Sequence, residues 1–280
     1  MIIWIASYPK SGNTWIRSFL TAYYFCENGI FDINKLNLIE DYPNKQFFKE
    51  KVKQGEIHKH WEASQKDILN QKKVKFLKTH NSLITAFGKS FTKPEYSLGV
   101  IYVIRDPRNV ITSVKNHNDL DTYDQALKFM QDENKVLEDY PHLKNYAKTN
   151  IINSWRINYR SWLSNKSFRR VTIRYEDMVK NPNQTFEKLV LFVNNLMRFY
   201  DKIDQKKLNN AIDSTNFKSL QNIENAGKFG ENVYSLKDNR KIKFFYQGPE
   251  NDWKKNLDES MKKKMNEYYQ NDLKFFQYEN

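Results

Sequence analysis

The sequence predicts an α/β fold, a central parallel β-sheet flanked by helices on both faces. Three observations carry this reading. Short apolar runs alternate with longer stretches of helical spacing. Residues Val100 to Ile104 are apolar at every position, the mark of a strand buried on both faces. No internal repeat and no Pro/Gly/Ser-rich linker interrupts the 280 residues, so one domain over 1–280 is the simplest organisation.

Taken in order, residues 2–6 (Ile-Ile-Trp-Ile-Ala) predict a strand, Ser7 to Asn13 a polar loop, and Thr14 to Phe25 a helix. Residues 27–73 are polar and irregular and predict loops and short helices. Val74 to Leu77 alternates like a half-buried strand. After Ile104, Arg105-Asp106-Pro107 ends the second buried strand, and Pro107 suits the first turn of a helix reaching about Asn116. Amphipathic spacing predicts helices over Tyr123–Tyr140 and Asn150–Asn165, and Val171 to Tyr175 reads as another strand. Asn181 as cap and Pro182 at the first position start a helix to about Tyr200. Further helices are expected over Asp204–Ile212 and Asp258–Leu273, and 225–252, which lacks periodicity, is expected to be a long loop.

Composition narrows the function classes. The net charge of +13 gives a surface that attracts anions, whether nucleic acid, anionic lipid or nucleotide. No helix-turn-helix, RNP or zinc-finger pattern is present, so nucleic acid is not an expected partner. The single cysteine, Cys26, excludes an intrachain disulfide framework and a Cys-based zinc site, and it fits a reducing, cytoplasmic location. The first apolar stretch is too short for a signal peptide, and no segment approaches the roughly 20 apolar residues of a membrane span. No cluster of side chains reads as a metal site.

The loop after the first strand is the strongest chemical signal. Ligands of open α/β sheets bind at the carboxyl ends of strands, and a helix N-terminus there holds phosphate through its exposed N–H groups. Gly12 allows close backbone approach; Lys10 adds a charge; Ser11, Asn13 and Thr14 add donors. The pattern is not the G-x-x-x-x-G-K-[ST] loop: no glycine opens it, and the lysine precedes Gly12. A second anion site is expected where Arg105 ends its strand and Ser113 follows eight residues later, an arginine fork and a hydroxyl gripping one phosphate.

Tyr8-Pro9-Lys10-Ser11-Gly12-Asn13-Thr14-Trp15 resembles the 5'-phosphosulfate loop, Y-P-K-[ST]-G-[TN]-[TS]-W, of sulfotransferases that use 3'-phosphoadenosine-5'-phosphosulfate (PAPS). Arg105-Asp106-Pro107 with Ser113 is similar to their 3'-phosphate motif, R-[ND]-P-x-[DN]-x-x-x-S. Further along, Tyr175-Glu176-Asp177-Met178, then Ser214 to Leu220, then Gly248 to Lys254 resemble later motifs in family order. The last is degraded: Tyr246 and Gln247 replace an Arg and a Lys, and Asn251 replaces a glycine, with Lys228, Arg240, Lys241 or Lys243 available to compensate. The pattern looks like a bacterial-like member of the cytosolic-type family. The resemblance implies a P-loop-nucleotide-kinase-like three-layer sandwich with PAPS as co-substrate, its product 3',5'-adenosine bisphosphate (PAP), and no metal. It implies nucleotide contacts from Lys10, Ser11, Gly12, Asn13, Thr14, Trp15, Arg105, Ser113, Tyr175, Thr215, Phe217 and Gly248.

It also implies the chemistry. Lys10 would stabilise the leaving oxygen, and Ser113 is counted with it among the catalytic residues. Lys78-Thr79-His80 resembles the family's K-[TS]-H, which makes His80 the base for the acceptor and Lys78 its helper. Of the five histidines, His58 and His60 form H-x-H in a charged stretch and are expected at the surface; His117 and His142 receive no role. Glu56 and Glu62 are the carboxylates a different base would use. Asn81-Ser82 departs from the family's L-P, so the acceptor side differs. Residues 27–73, 81–97 and 225–250 are expected to cover a small-molecule acceptor, and a homodimer is possible on this reading. The alternatives are a P-loop kinase with Asp106 holding magnesium, and an inactive relative that only binds PAP.

Overall fold

The computed structural model describes residues 1–49, 52–53, 55–139, 148–231, 233–235 and 237–278. Five parallel strands form the central sheet: β1 (Ile2–Ser7), β2 (Glu40–Asp41), β3 (Lys75–Thr79), β4 (Ser97–Ile104) and β5 (Arg170–Arg174), in the spatial order β2-β3-β1-β4-β5. β1 lies between β3 and β4, with Ala6 opposite Thr79 on one side and Ser7 opposite Val103 on the other. The chain leaves β1 toward one edge and later returns to the other, so the loop after β1 sits where the strand order reverses.

Alternation along the strands divides the core. Trp4, Leu77, Val100, Tyr102 and Ile104 face one side, where they pack with Trp61, Val114, Trp155 and Met265. Ile3, Ile5, Phe76, Ile101 and Val103 face the other, against Phe19, Phe186, Leu189 and Val193. The first layer of helices is α2 (Trp61–Asn70), α3 (Pro107–His117), α4 (Tyr123–Gln131), α5 (Trp155–Leu163), α10 (Trp253–Asn256) and α11 (Glu259–Phe275). The second is α1 (Asn13–Phe25), α6 (Tyr175–Lys180), α7 (Pro182–Met197), α8 (Gln205–Ser214) and α9 (Phe217–Asn225). Every residue of β1 from Ile2 to Ser7 is buried, as a strand covered by helices on both faces must be.

Several boundaries differ from the expectation. The helix expected over Tyr123–Tyr140 ends at Gln131, because Asp132 turns extended and Val136–Asp139 pairs antiparallel with Lys148–Ile151; Tyr140 lies outside the described residues. The same pairing delays the next helix to Trp155, where the Ser154 hydroxyl caps it. Tyr175 opens α6 and does not end β5. The stretch 225–252 includes the last residue of α9 and a hairpin pairing Val233–Tyr234 with Lys241–Ile242. His58 is buried against Trp61 and Phe87, not at the surface, because the charged stretch folds over the edge of the aromatic core.

Phe186 stacks on Phe19 at a centroid separation of 4.2 Å, joining α7 to α1. Phe186→Ala is expected to destabilise the protein by about 3–5 kcal/mol, read from urea unfolding.

Candidate active site

The loop from Ser7 to Gly12 leaves β1 and turns into α1. Lys10 (φ 66) and Gly12 (φ 102) both take left-handed backbone, which wraps the chain tightly. A Cβ on Gly12 would lie 2.7 Å from the Tyr175 ring, so only glycine lets the loop close on α6. The N-terminus of α1 has no side-chain cap, leaving its N–H groups available to an anion. Asn13 does not offer its amide outward: the amide donates to Ile5 O at 3.0 Å and Ser7 Oγ at 3.1 Å and fastens the loop to β1. The Ser11 hydroxyl, by contrast, is buried without a hydrogen-bond partner among the described residues. Buried polar groups are almost always paired, so an orphaned donor in a cationic loop fits a phosphate oxygen.

Arg105, at the end of β4, lies beside this loop. Its guanidinium approaches Lys10 O at 3.5 Å and Ser113 Oγ at 3.4 Å, and donates to Gly248 O at 2.9 Å. It rests 4.0 Å over the Tyr175 ring, while its Nε is buried with no hydrogen-bond partner among the described residues. The C-terminal segment is clamped onto α3: the Asn251 amide donates to Asn109 O at 2.7 Å and reaches Ser113 Oγ at 3.4 Å, and Trp253 N donates to Asn109 Oδ1 at 2.9 Å. Asp106, the alternative magnesium ligand, is instead bonded to the buried Arg108 at 2.8 Å. Among the described residues no group of side chains could hold a metal ion.

Beside Gly12 and Gly248 opens a cavity of about 440 Å³. Trp15, Met178, Phe217, Tyr246 and Gln247 line it, with Lys218 at its exposed rim. Aromatic walls of this kind accept a flat heteroaromatic ring. A Cβ on Gly248 would fall 2.2 Å from Phe217, so that glycine also fixes the slot's width. Thr215 does not line the cavity; it is buried and its hydroxyl donates to Ala211 O at 2.6 Å. Of the cations suggested as compensation for Tyr246 and Gln247, Arg240 is committed to Asp119 and Asp238. Lys218 is the cation that reaches the cavity rim, and its place directly after Phe217 was the available signal.

A second cluster, with His80, Lys10 and Lys78, is built at the ends of β1 and β3. His80 Nδ1 donates to Ser7 O at 2.8 Å, which leaves Nε2 as the basic ring nitrogen. Burial pulls the Lys10 ammonium down to about 7, with Arg105 and Lys78 adding to the depression and Glu231 opposing it. Its Nζ lies 4.0 Å over the Phe244 ring and 3.3 Å from His117 Nδ1. Lys78 pairs with Asp41 at 3.1 Å, and Arg17 pairs with Glu231. Glu231 is held below the usual carboxylate range by Arg17 and Lys78 against the opposing effect of its burial. Glu56 and Glu62 pair with Lys59 and Lys66 away from this cluster, and His142 lies outside the described residues.

Sequence reasoning did not find Asp41, Glu231, Phe244, His117 or Asn158. His117 alone carried a usable signal, since it stands four residues after Ser113 on the same helix face. Asn158 is buried on α5: its amide donates to His80 O at 3.0 Å and Ile152 O at 2.9 Å, and its oxygen accepts from Tyr102 OH at 2.8 Å. Asn81 and Ser82 tie the same turn to the added hairpin, with Ser82 N donating to Ile151 O at 2.9 Å and Ser82 Oγ to Ile152 O at 2.8 Å.

Residues 2–277 match the family described as the sulfotransferase domain. The chain belongs to the sulfotransferase family. Its relatives include sulfotransferase 1 family member D1 of Mus musculus, 25% identical over 276 residues, which cover 95% of this chain and 81% of that protein. The amine sulfotransferase of Oryctolagus cuniculus is 21% identical over 279 residues, or 98% and 81% of the two chains. Among solved structures, a mouse sulfotransferase complexed with PAP superposes with a TM-score of 0.60 at 18% identity, covering 98% of this chain and 84% of the other. Retinol dehydratase in complex with retinol and PAP gives 0.61 at 16% identity, with 98% and 81% covered. The three-layer sheet order described above is therefore a sulfotransferase fold.

If Asn158 aims His80, removing its amide should slow the reaction without disturbing the phosphate loop. Asn158→Ala is expected to lower kcat about 10- to 100-fold, the scale of a small misplacement of a reacting group. Comparing kcat with the KM for the sulfuryl donor checks this, since the latter should hold.

Proposed function

We propose that this chain moves a sulfuryl group from PAPS to a hydroxyl or amine of a small-molecule acceptor and releases PAP. One observation carries the reading: Arg105 and the Lys10 loop meet at 3.5 Å, beside the aromatic slot of Trp15 and Phe217. Two cationic strand ends and one ring cavity then suit a single adenine nucleotide bearing two separated phosphates. The orphaned Ser11 hydroxyl and Arg105 Nε supply unspent donors for those phosphates. That related folds are solved with PAP supports the same ligand here.

PAPS, when bound, supplies an activated sulfuryl group on a phosphate leaving group. On this reading Ser11, Gly12, Thr14 and the amides of α1 hold the 5' end, Arg105 and Ser113 the 3'-phosphate, and Trp15, Tyr175, Phe217 and Gly248 shape the ring site. The backbone amide of Asn13 serves the same cradle. His80 Nε2 takes the acceptor proton, and Lys10 stabilises charge on the departing oxygen. Lys78, paired with Asp41 at 3.1 Å, is the assisting cation on this reading.

An inactive PAP-binding relative has one observation behind it, the exposed Tyr246 and half-buried Gln247 where the family carries cations. The decisive experiment is transfer of labelled sulfate from PAPS across an acceptor panel in the presence of EDTA. Turnover is expected, Lys10→Ala should reduce it by about 10²- to 10³-fold, and His80→Ala should abolish it while calorimetry still detects PAP. Binding without transfer by the wild type would select the inactive alternative; a requirement for magnesium would select a kinase.

Lys10 also sets a pH dependence. Its free-state value of about 7 rises when an anion binds beside it, so at pH above 7 binding takes up a proton and affinity falls as pH increases. Calorimetry of PAP near pH 8 in buffers of different ionisation enthalpy should show this uptake, and Lys10→Met should lose it.

A further inference from the structure

Lys10 has a task in the reaction, but nothing in the motif explains what holds its ammonium. Among the described residues it has no ion pair, although Glu231 and Glu224 contribute at longer range. Its direct neighbours are the Phe244 ring and His117 Nδ1. His117 closes α3, half-buried, with its ring edge-on to Phe244 at 5.9 Å. Lysine, histidine and phenylalanine thus form a three-body contact contributed by the β1 loop, α3 and the C-terminal stretch.

The chemistry of that contact fixes where the protons are. An ammonium has three donors and no acceptor, so His117 Nδ1 accepts, and the ring proton must reside on Nε2. Burial, with Lys10, His80 and Lys78 adding to it, pushes His117 down to about 2, so the ring stays neutral. His80 is the reverse case. Its Nδ1 faces the Ser7 carbonyl at 2.8 Å, and a carbonyl can only accept, so its proton resides on Nδ1.

We propose that His117 is a positioning residue for Lys10, taking one ammonium proton at Nδ1 and seating the cation against Phe244. Two N–H bonds of Lys10 remain for the oxygens of the nucleotide, and the pair of histidines is held in opposite tautomers. The inference rests on the reading of Lys10 as the cation of sulfuryl transfer. A hydrogen-bonded seat of this kind removes rotamer freedom that the lysine would otherwise lose during the reaction.

The test begins with the nucleotide-free wild type at a pH well below 7, where Lys10 is an ammonium and His117 is still neutral. Long-range proton–nitrogen NMR of the histidine rings should show His117 as the Nε2–H form and His80 as the Nδ1–H form. Lys10→Met should remove the bias at His117 alone. In turnover, His117→Ala is expected to lower kcat about 10- to 100-fold, with PAP affinity reduced by much less. His117→Asn, which keeps an acceptor near the Nδ1 position, should recover most of the loss. An Nδ1–H form of His117 in the wild type, or an alanine variant with wild-type kcat, overturns the proposal. If the alanine variant does not fold, the wild-type tautomer and the asparagine variant still decide it. Absent PAP binding or transfer by the wild type would fail the functional reading instead, and the tautomers would still report on the Lys10–His117 contact.

Discussion

All the site's parts depend on β1 being trapped between β3 and β4 in a parallel sheet. Parallel pairing sends the carboxyl ends of the strands to one edge, and the fixed register places Ser7 opposite Val103 and Ala6 opposite Thr79. The loop carrying Lys10, the turn carrying His80 and the strand end carrying Arg105 therefore emerge side by side. Slipping β1 by one residue would exchange its two buried faces, which Trp4 and Ile5 fill with side chains of different size on opposite sides. The packing that stabilises the sheet is thus also what aligns the chemistry.

Charge is distributed unevenly across this edge. Arg17 and Lys78 have carboxylate partners, and Arg108 has Asp106. Lys10 and Arg105 are contacted by carbonyls, a hydroxyl, an imidazole and aromatic faces. Burying a cation without a counter-ion costs stability, and the depressed Lys10 expresses that cost. A bound anion relieves it. Among the described residues Lys10 and Arg105 thus differ from Arg17, Lys78 and Arg108 in having no carboxylate partner.

Aiming is a separate matter from attraction. His80 is oriented by Ser7 O from below and by Asn158 through its own carbonyl. Asn158 also joins Tyr102 of β4 to the turn, so the position of His80 is tied to a strand two places away in the sheet. Asn81 and Ser82 complete the tie by bonding the Val136–Asp139/Lys148–Ile151 hairpin. The departure from the family's L-P at these positions is in this way structural: two polar residues serve a hairpin that the amphipathic pattern concealed.

The sequence by itself determined the sheet, the turn that follows β1 and the strand end at Arg105. Their signals are local: unbroken apolar runs such as Val100 to Ile104, a Lys-Ser-Gly-Asn-Thr cluster directly after one run, and an arginine eight residues before a serine. It could not show that Val136–Asp139 would abandon helical spacing, because strand pairing depends on a partner elsewhere in the chain. Nor could it show Asp41 beside Lys78, Glu231 beside Arg17, or Phe244 beneath Lys10. Those contacts join residues far apart in the chain, and a long-range pair leaves no periodicity to read. The tertiary structure alone decided them, because only folding brings such distant groups within hydrogen-bond reach.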